Sequence, residues 1–150
     1  MPRALPRWIA ARLRQLAALA GARGGLGVAI VGDTEMARLH LQYKHIAGTT
    51  DVLTFDLREL PVANRASKKK HSRQTSAIDG DVVICFDEAR RQARRRGHSV
   101  RLELLLYALH GLLHLSGYDD TTPREHRRMH RREDELLQRA GLSAVFATKR

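Results

Sequence analysis

Apolar residues recur at helical spacing almost from the start of the chain. Ile9, Leu13, Leu16 and Leu19 fall three or four apart between Trp8 and Ala20, and Gly21 stands where such a helix would end. "GVAIVGD" (27–33) then reads as a short buried strand entering a loop. A helix is expected from Asp33, as its N-cap, to Lys44, with Met36, Leu39 and Tyr43 on the inner face. In "TDVLTFDL" (50–57) the period drops to two, with Leu53, Phe55 and Leu57 opposing Val52, Thr54 and Asp56, which is the alternation of a strand. "GDVVICF" (80–86) is continuously apolar, as a strand deep in a sheet should be.

Three helices follow. Asp87 and Glu88 open one whose exposed face is Arg90, Arg91, Arg94, Arg95 and Arg96, and Gly97 closes it. Ser99 can cap the next, which runs through "LELLLYALHGLLHL" to a stop at Gly117 and is apolar nearly all round, the pattern of a buried helix. Thr122 and Glu125 form a capping box for the last, with Pro123 at its first position and Gly141 at its end. Between the second and third strands, residues 59–76 ("ELPVANRASKKKHSRQTS") lose all periodicity and gather Lys, Arg and Ser, as a flexible basic loop would. Helices and strands so intermixed predict an α/β (α+β) fold around a small sheet, with no internal repeat.

A length of 150 residues fits one domain with a core of its own. A composition of 43% hydrophobic and 29% charged residues is that of a globular chain. The single cysteine, Cys85, excludes an internal disulfide framework and fits a reducing cytosol, and no apolar run reaches the roughly 18 residues that span a bilayer. The first 32 residues hold Arg and no acid, as transit segments do, but the regular amphipathic pattern of 8–20 argues for an ordinary helix instead. Charge changes the picture most: 27 Lys plus Arg against 16 Asp plus Glu leave +11. Solvated faces can absorb such an excess, yet it favours polyanionic partners, nucleic acid first.

The candidate chemistry is in "HGLLHLSGYDD" (110–120). His110 and His114 stand four apart on a helix, so their rings share a face and can chelate one tetrahedral ion. Two core histidines bonded to backbone are the plainer alternative, but imidazoles in so apolar a helix need partners. Gly117 lets the chain turn back and bring Asp120 to the same ion as a third ligand; Asp119 competes for that role or orients a ligand from behind. Three protein donors with one position open is the catalytic arrangement rather than the structural one, and zinc is the best-suited divalent ion. His126 and His130 repeat the spacing but share a face with Met129, Leu136 and Leu137, where packing is the expected role. A zinc peptidase helix carries a Glu general base after its first histidine, and this chain has Gly111. Peptide hydrolysis is therefore disfavoured, and metal-assisted attack on a phosphodiester stays open.

This motif, together with "TDVLTF" (50–55) and "IDGDVVICFDEARRQARRRGHS" (78–99), strongly resembles the bacterial YbeY family over about residues 27–137. The resemblance implies a small mixed sheet packed with helices around a buried metal-binding helix. It also implies a single-strand-preferring, metal-dependent endoribonuclease acting in ribosomal RNA maturation (16S 3′-end processing) and ribosome quality control. Such a protein would work in the cytoplasm on ribosomal subunits, alongside ribosomal or GTPase assembly proteins, with no membrane. His110 and His114 match the family's first two ligands, while its third, a histidine, falls on Asp120. A functional arginine of the family falls on Lys44, which keeps the charge and loses the bidentate fork. The strand that usually precedes the first helix is missing or very short here, and the 59–76 loop and the last helix are more basic than the family's usual pattern. Lys44 and His110 are then the expected catalytic residues, with Arg90, Arg94, Arg95, Lys68, Lys69 and Lys70 expected to hold RNA backbone. A ribosome assembly factor with a structural metal is the alternative reading, and a metalloprotease a distant third.

Overall fold

A computed structural model describes residues 2–59 and 77–147. The element order is α1 (Leu5–Ala20), β1 (Arg23–Val31), α2 (Asp33–Lys44), β2 (Val52–Asp56), a 3-10 turn (Leu57–Glu59), β3 (Ala77–Cys85), α3 (Phe86–Arg96), α4 (Val100–Leu115) and α5 (Pro123–Arg139). The loop expected over 59–76 falls, beyond Glu59, outside the described residues, and Lys68, Lys69 and Lys70 with it. No helix among the described residues is long and apolar enough to cross a membrane.

The sheet is small and mixed, in the order β1-β3-β2. β3 is its middle strand: β1 runs parallel to it and β2 antiparallel, with Val28 and Thr54 both opposite Val82. The two faces differ in cover. Ile78, Val82 and Ile84 point into the main core, where Ile9, Leu13 and Leu16 of α1, nearly all of α4, and Met129, Leu136 and Leu137 of α5 meet them. Met36 of α2 covers part of the opposite face, over Leu53 and Cys85. The continuously apolar strand expected over 80–86 is instead Ala77–Cys85, with Phe86 opening α3, and burial alternates along its first half, where Asp79 and Asp81 are exposed.

α4 runs through the middle of this packing. It contacts α1, α3 and α5 and lies across β2 and β3, with eleven of its sixteen residues buried. Its start is capped as expected, by Ser99 Oγ accepting from Leu102 N–H. The capping box of α5 is present too, with Thr122 Oγ1 accepting from Glu125 N–H and Glu125 accepting from Thr122 N–H.

Three local expectations need correction. α1 begins at Leu5, since Pro6 suits a first helical turn, and β1 begins at Arg23. The N-cap of α2 is Gly32; Asp33 is its first residue and turns its carboxylate to Arg91 at 2.7 Å. Tyr43 is 53% exposed rather than on an inner face, and its ring meets Phe55 of β2 edge-on at 5.1 Å. All five arginines of α3 are exposed, as expected, but two of them are ion-paired. Arg91 is engaged by Asp33 and Glu88, and Arg96 by the buried Glu103 at 3.3 Å and by the ring of Phe146. Arg90 stands over the ring of Phe86 at 5.9 Å.

Candidate metal centre

One helix and the turn behind it supply all three expected ligands. His110 and His114 project from the last turns of α4 with their rings edge to face, 4.6 Å between centroids. Gly117, at φ 98°, then reverses the chain, a conformation that favours glycine. Gly117 and Tyr118 donate their N–H groups to the carbonyls of His114 and Leu113, which satisfies the helix end and fixes the path to Asp120. Asp120 Oδ2 comes to lie 3.4 Å from His110 Nε2 and 3.6 Å from His114 Nε2, and the two Nε2 atoms are 3.0 Å apart. Asp119 does not compete: its Oδ1 accepts from the N–H of Asp120 at 2.8 Å and steadies the turn.

Both rings are oriented from behind. His114 Nδ1 donates to the carbonyl of Tyr118 at 3.0 Å, and His110 Nδ1 donates to Glu133 Oε1 of α5 at 3.3 Å. With Nδ1 carrying the proton in each ring, both Nε2 lone pairs face each other and the Asp120 carboxylate. Three acceptor atoms in mutual repulsion fit a cation between them. Donors at metal-bond lengths of 2.0–2.1 Å and tetrahedral angles sit about 3.3 Å apart, close to the three spacings seen. Among the described residues this is the group whose side chains could hold a metal ion.

Carboxylates lie on both sides of the His110 ring, Glu133 at Nδ1 and Asp120 at Nε2. Burial pulls the pKa of His110 down, but the bond to Glu133 and the charges of Glu133 and Asp120 outweigh it, so the net shift is upward. His114 shifts downward, through burial first and then the neighbouring His110. Glu133 is 1% exposed; burial would raise its pKa, yet its bonds to His110 and His130 win and it shifts downward.

The three candidate ligands line a cavity of about 460 Å³ with Lys44, Asp51, Thr54 and Asp56. Lys44, at the end of α2, lines this cavity from another element. Asp51, at the start of β2, was not anticipated; no local pattern distinguished it. Asp56 is ion-paired with Arg58 at 2.7 Å. Arg90, Arg94 and Arg95 do not line the cavity. A second cavity of about 440 Å³, between α1 and β1, is apolar apart from Arg14, so the reactive groups concentrate at the histidines.

His126 and His130 are joined by their Nε2 atoms at 2.9 Å and stand apart from the ligand cluster. Only His130 packs as expected, stacking on Phe146 with 3.5 Å between centroids; His126 is exposed. Glu133 was missed, although a carboxylate inside the apolar stripe of Met129, Leu136 and Leu137 was visible in the sequence.

A sequence profile of the family Endoribonuclease YbeY matches residues 3–141. The protein named Endoribonuclease YbeY in Thermobifida fusca is 43% identical over 112 residues, which is 75% of this chain and 69% of that one. Its namesake in Anaeromyxobacter sp. is 39% identical over 127 residues, 85% of this chain and 60% of that one. In Corynebacterium aurimucosum the figures are 40% over 102 residues, 68% and 53%. The chain therefore spans between 53% and 69% of the length of these relatives. The solution structure of TM1509 from Thermotoga maritima shares the fold, with a TM-score of 0.58 at 19% identity over 99% of this chain and 96% of that one. On the profile match and these identities, the chain belongs to the YbeY endoribonuclease family.

Proposed function

We propose that the protein is a metal-dependent, single-strand-preferring endoribonuclease of ribosomal RNA maturation and quality control, working in the cytoplasm on ribosomal subunits with ribosomal or GTPase assembly proteins. The observation that carries it is the convergence of His110 Nε2, His114 Nε2 and Asp120 Oδ2 in a cavity that also holds Lys44. Two imidazoles and a carboxylate suit zinc. A divalent ion held there supplies Lewis acidity toward a phosphoryl oxygen and toward water.

The chain's own groups do the rest. Lys44 places a positive charge where a scissile phosphate enters and stabilises the charge that builds on it. Asp51 supplies the carboxylate base that α4 lacks and takes the proton of the attacking water. The cavity admits one phosphate of a pliable single strand, whereas a duplex holds its phosphates in a stiff, regular helix. Arg90, Arg94 and Arg95 on α3 hold RNA backbone outside the cavity, and Lys68, Lys69 and Lys70 add further positive charge for the same task. The net charge of +11 supports an RNA substrate, and the endoribonuclease names of the relatives agree with it.

The test is cleavage of a labelled ribosomal RNA fragment by metal-stripped protein, with and without added zinc, beside His110→Ala. Zinc-restored cutting that the variant lacks is expected. Folded, metal-loaded protein that cuts no better than His110→Ala would remove the nuclease reading and favour an assembly factor with a structural metal.

A further inference from the structure

Glu133 joins the metal centre to the far end of the chain. Its Oε1 accepts from His110 Nδ1 at 3.3 Å and from His130 Nδ1 at 3.1 Å, on a side chain that is 1% exposed. Its Oε2 is buried without a hydrogen-bond partner. A carboxylate so placed is costly to the fold, since burial strips its water and only one oxygen is compensated. An apolar residue would pack better beside Met129, Leu136 and Leu137. Stability is therefore a poor reason for a glutamate at this position.

The segment beyond α5 holds the same arrangement from outside. Asp134 accepts backbone N–H groups from Val145, Phe146 and Ala147, which fastens 145–147 against α5. Phe146 is thereby stacked on the His130 ring, with Arg96 over the Phe146 ring at 5.2 Å. His130 cannot swing away from Glu133 without breaking that stack. Glu133 in turn cannot rotate without releasing His110.

We infer that Glu133, held by His130 and the 145–147 segment, is the positioning residue of the metal centre. It fixes the His110 ring with Nδ1 protonated, so that Nε2 alone is presented beside Asp120, and it makes that nitrogen a stronger donor. The two histidines are consequently unequal ligands. His110 is backed by an ionised carboxylate, and His114 by the neutral carbonyl of Tyr118. The additional negative charge strengthens the site's hold on a cation beyond what Asp120 alone provides.

This inference rests on the metal-binding part of the proposed function and not on RNA cleavage. The test is the zinc dissociation constant, measured on the full chain by competition with a chromophoric chelator, together with the visible spectrum of the cobalt-substituted protein. Glu133→Gln is expected to bind zinc about 10- to 100-fold more weakly, with a changed cobalt spectrum. His130→Ala, which leaves Glu133 in place, is expected to lose less, in the same direction. Circular dichroism of the metal-free proteins should be unchanged. Affinity and spectrum unchanged in a folded Glu133→Gln would overturn the inference while leaving the metal site intact. If Glu133→Gln fails to fold, His130→Ala decides, and unchanged affinity there overturns it. Absence of zinc binding in the unaltered protein would overturn both this inference and the metal site beneath it.

Discussion

Gly111 lies against Val82 so closely that a Cβ added to the glycine would stand 2.7 Å from Val82 Cγ2, 2.8 Å from its Cγ1 and 3.1 Å from Thr54 Oγ1. α4 rests on the sheet at this point, one residue beyond His110. The glycine that stands where a zinc peptidase carries its base is thus a packing requirement, and its direction is toward the strands rather than the cavity. Gly111→Ala should cost about 1–3 kcal/mol through overpacking. Gly111→Glu should unfold the site without creating peptidase activity. Thermal melts and a casein assay check both; a stable Gly111→Glu that hydrolyses casein would refute the packing account.

Arg91 bonds Asp33 through both terminal nitrogens at 2.7 and 2.8 Å, and this holds the Asp33 carboxyl down at about 2. A carboxyl depressed in the folded state stabilises above its unfolded value, about 4. That stability is lost as pH falls from about 4 through about 2. Both side chains are about 40% exposed, so the pair is worth at most about 1 kcal/mol. Arg91→Ala should return Asp33 to the ordinary carboxyl range in an NMR titration and flatten the stability profile over that acid window. An Asp33 titration unmoved by the substitution would contradict the assignment.

What was legible in the sequence, and what was not, follows the range of the interactions. The pairing of His110 with His114 needs only helical periodicity, and the arrival of Asp120 needs only the turn at Gly117; both are encoded within eleven residues. Asp51 and Glu133 reach the same place from β2 and α5, and no local period announces a contact across 23 residues of chain such as that of Glu133 with His110. Tyr43 fails for the complementary reason. Its spacing gives the side of α2 that meets Phe55, but periodicity carries no information on how much of the ring that contact covers. The arginines of α3 show the limit of composition, since five charges in a row of turns say nothing of the carboxylates, Asp33, Glu88 and Glu103, that engage two of them.

Asp120 approaches both Nε2 atoms, so its removal should be felt in metal affinity directly. Asp120→Ala is expected to weaken zinc by at least the roughly 10- to 100-fold that outer partners alone can command. Asp120→His supplies the nitrogen donor that the family pattern has at this position and should retain binding. Chelator competition on the two variants separates the cases. Unchanged affinity in Asp120→Ala would mean that the third donor comes from elsewhere.

Lys44 and Asp51 share the cavity but differ in proposed task. Lys44→Ala should lower kcat by about 100- to 1,000-fold, as loss of one charge-stabilising donor does, and Lys44→Arg should keep most of it. Asp51→Asn should cost about 100-fold or more in kcat, as loss of a general base does. Zinc affinity should move little in either. A zinc affinity that falls together with activity would reassign these residues to holding the site rather than to the reaction.

Arg90, Arg94 and Arg95 project from α3 outside the cavity, so their effect should fall on binding and leave the chemical step alone. Each phosphate neutralised on a single strand contributes about −0.7 to the slope of log affinity against log salt. Replacing all three arginines with glutamine should therefore flatten that slope by about 2 and raise KM at physiological salt with kcat nearly unchanged. Binding of a labelled single-stranded RNA over a salt series measures the slope. If it stays as steep in the triple variant, the phosphates are held elsewhere, and the charge of α3 serves only to keep its outer face solvated.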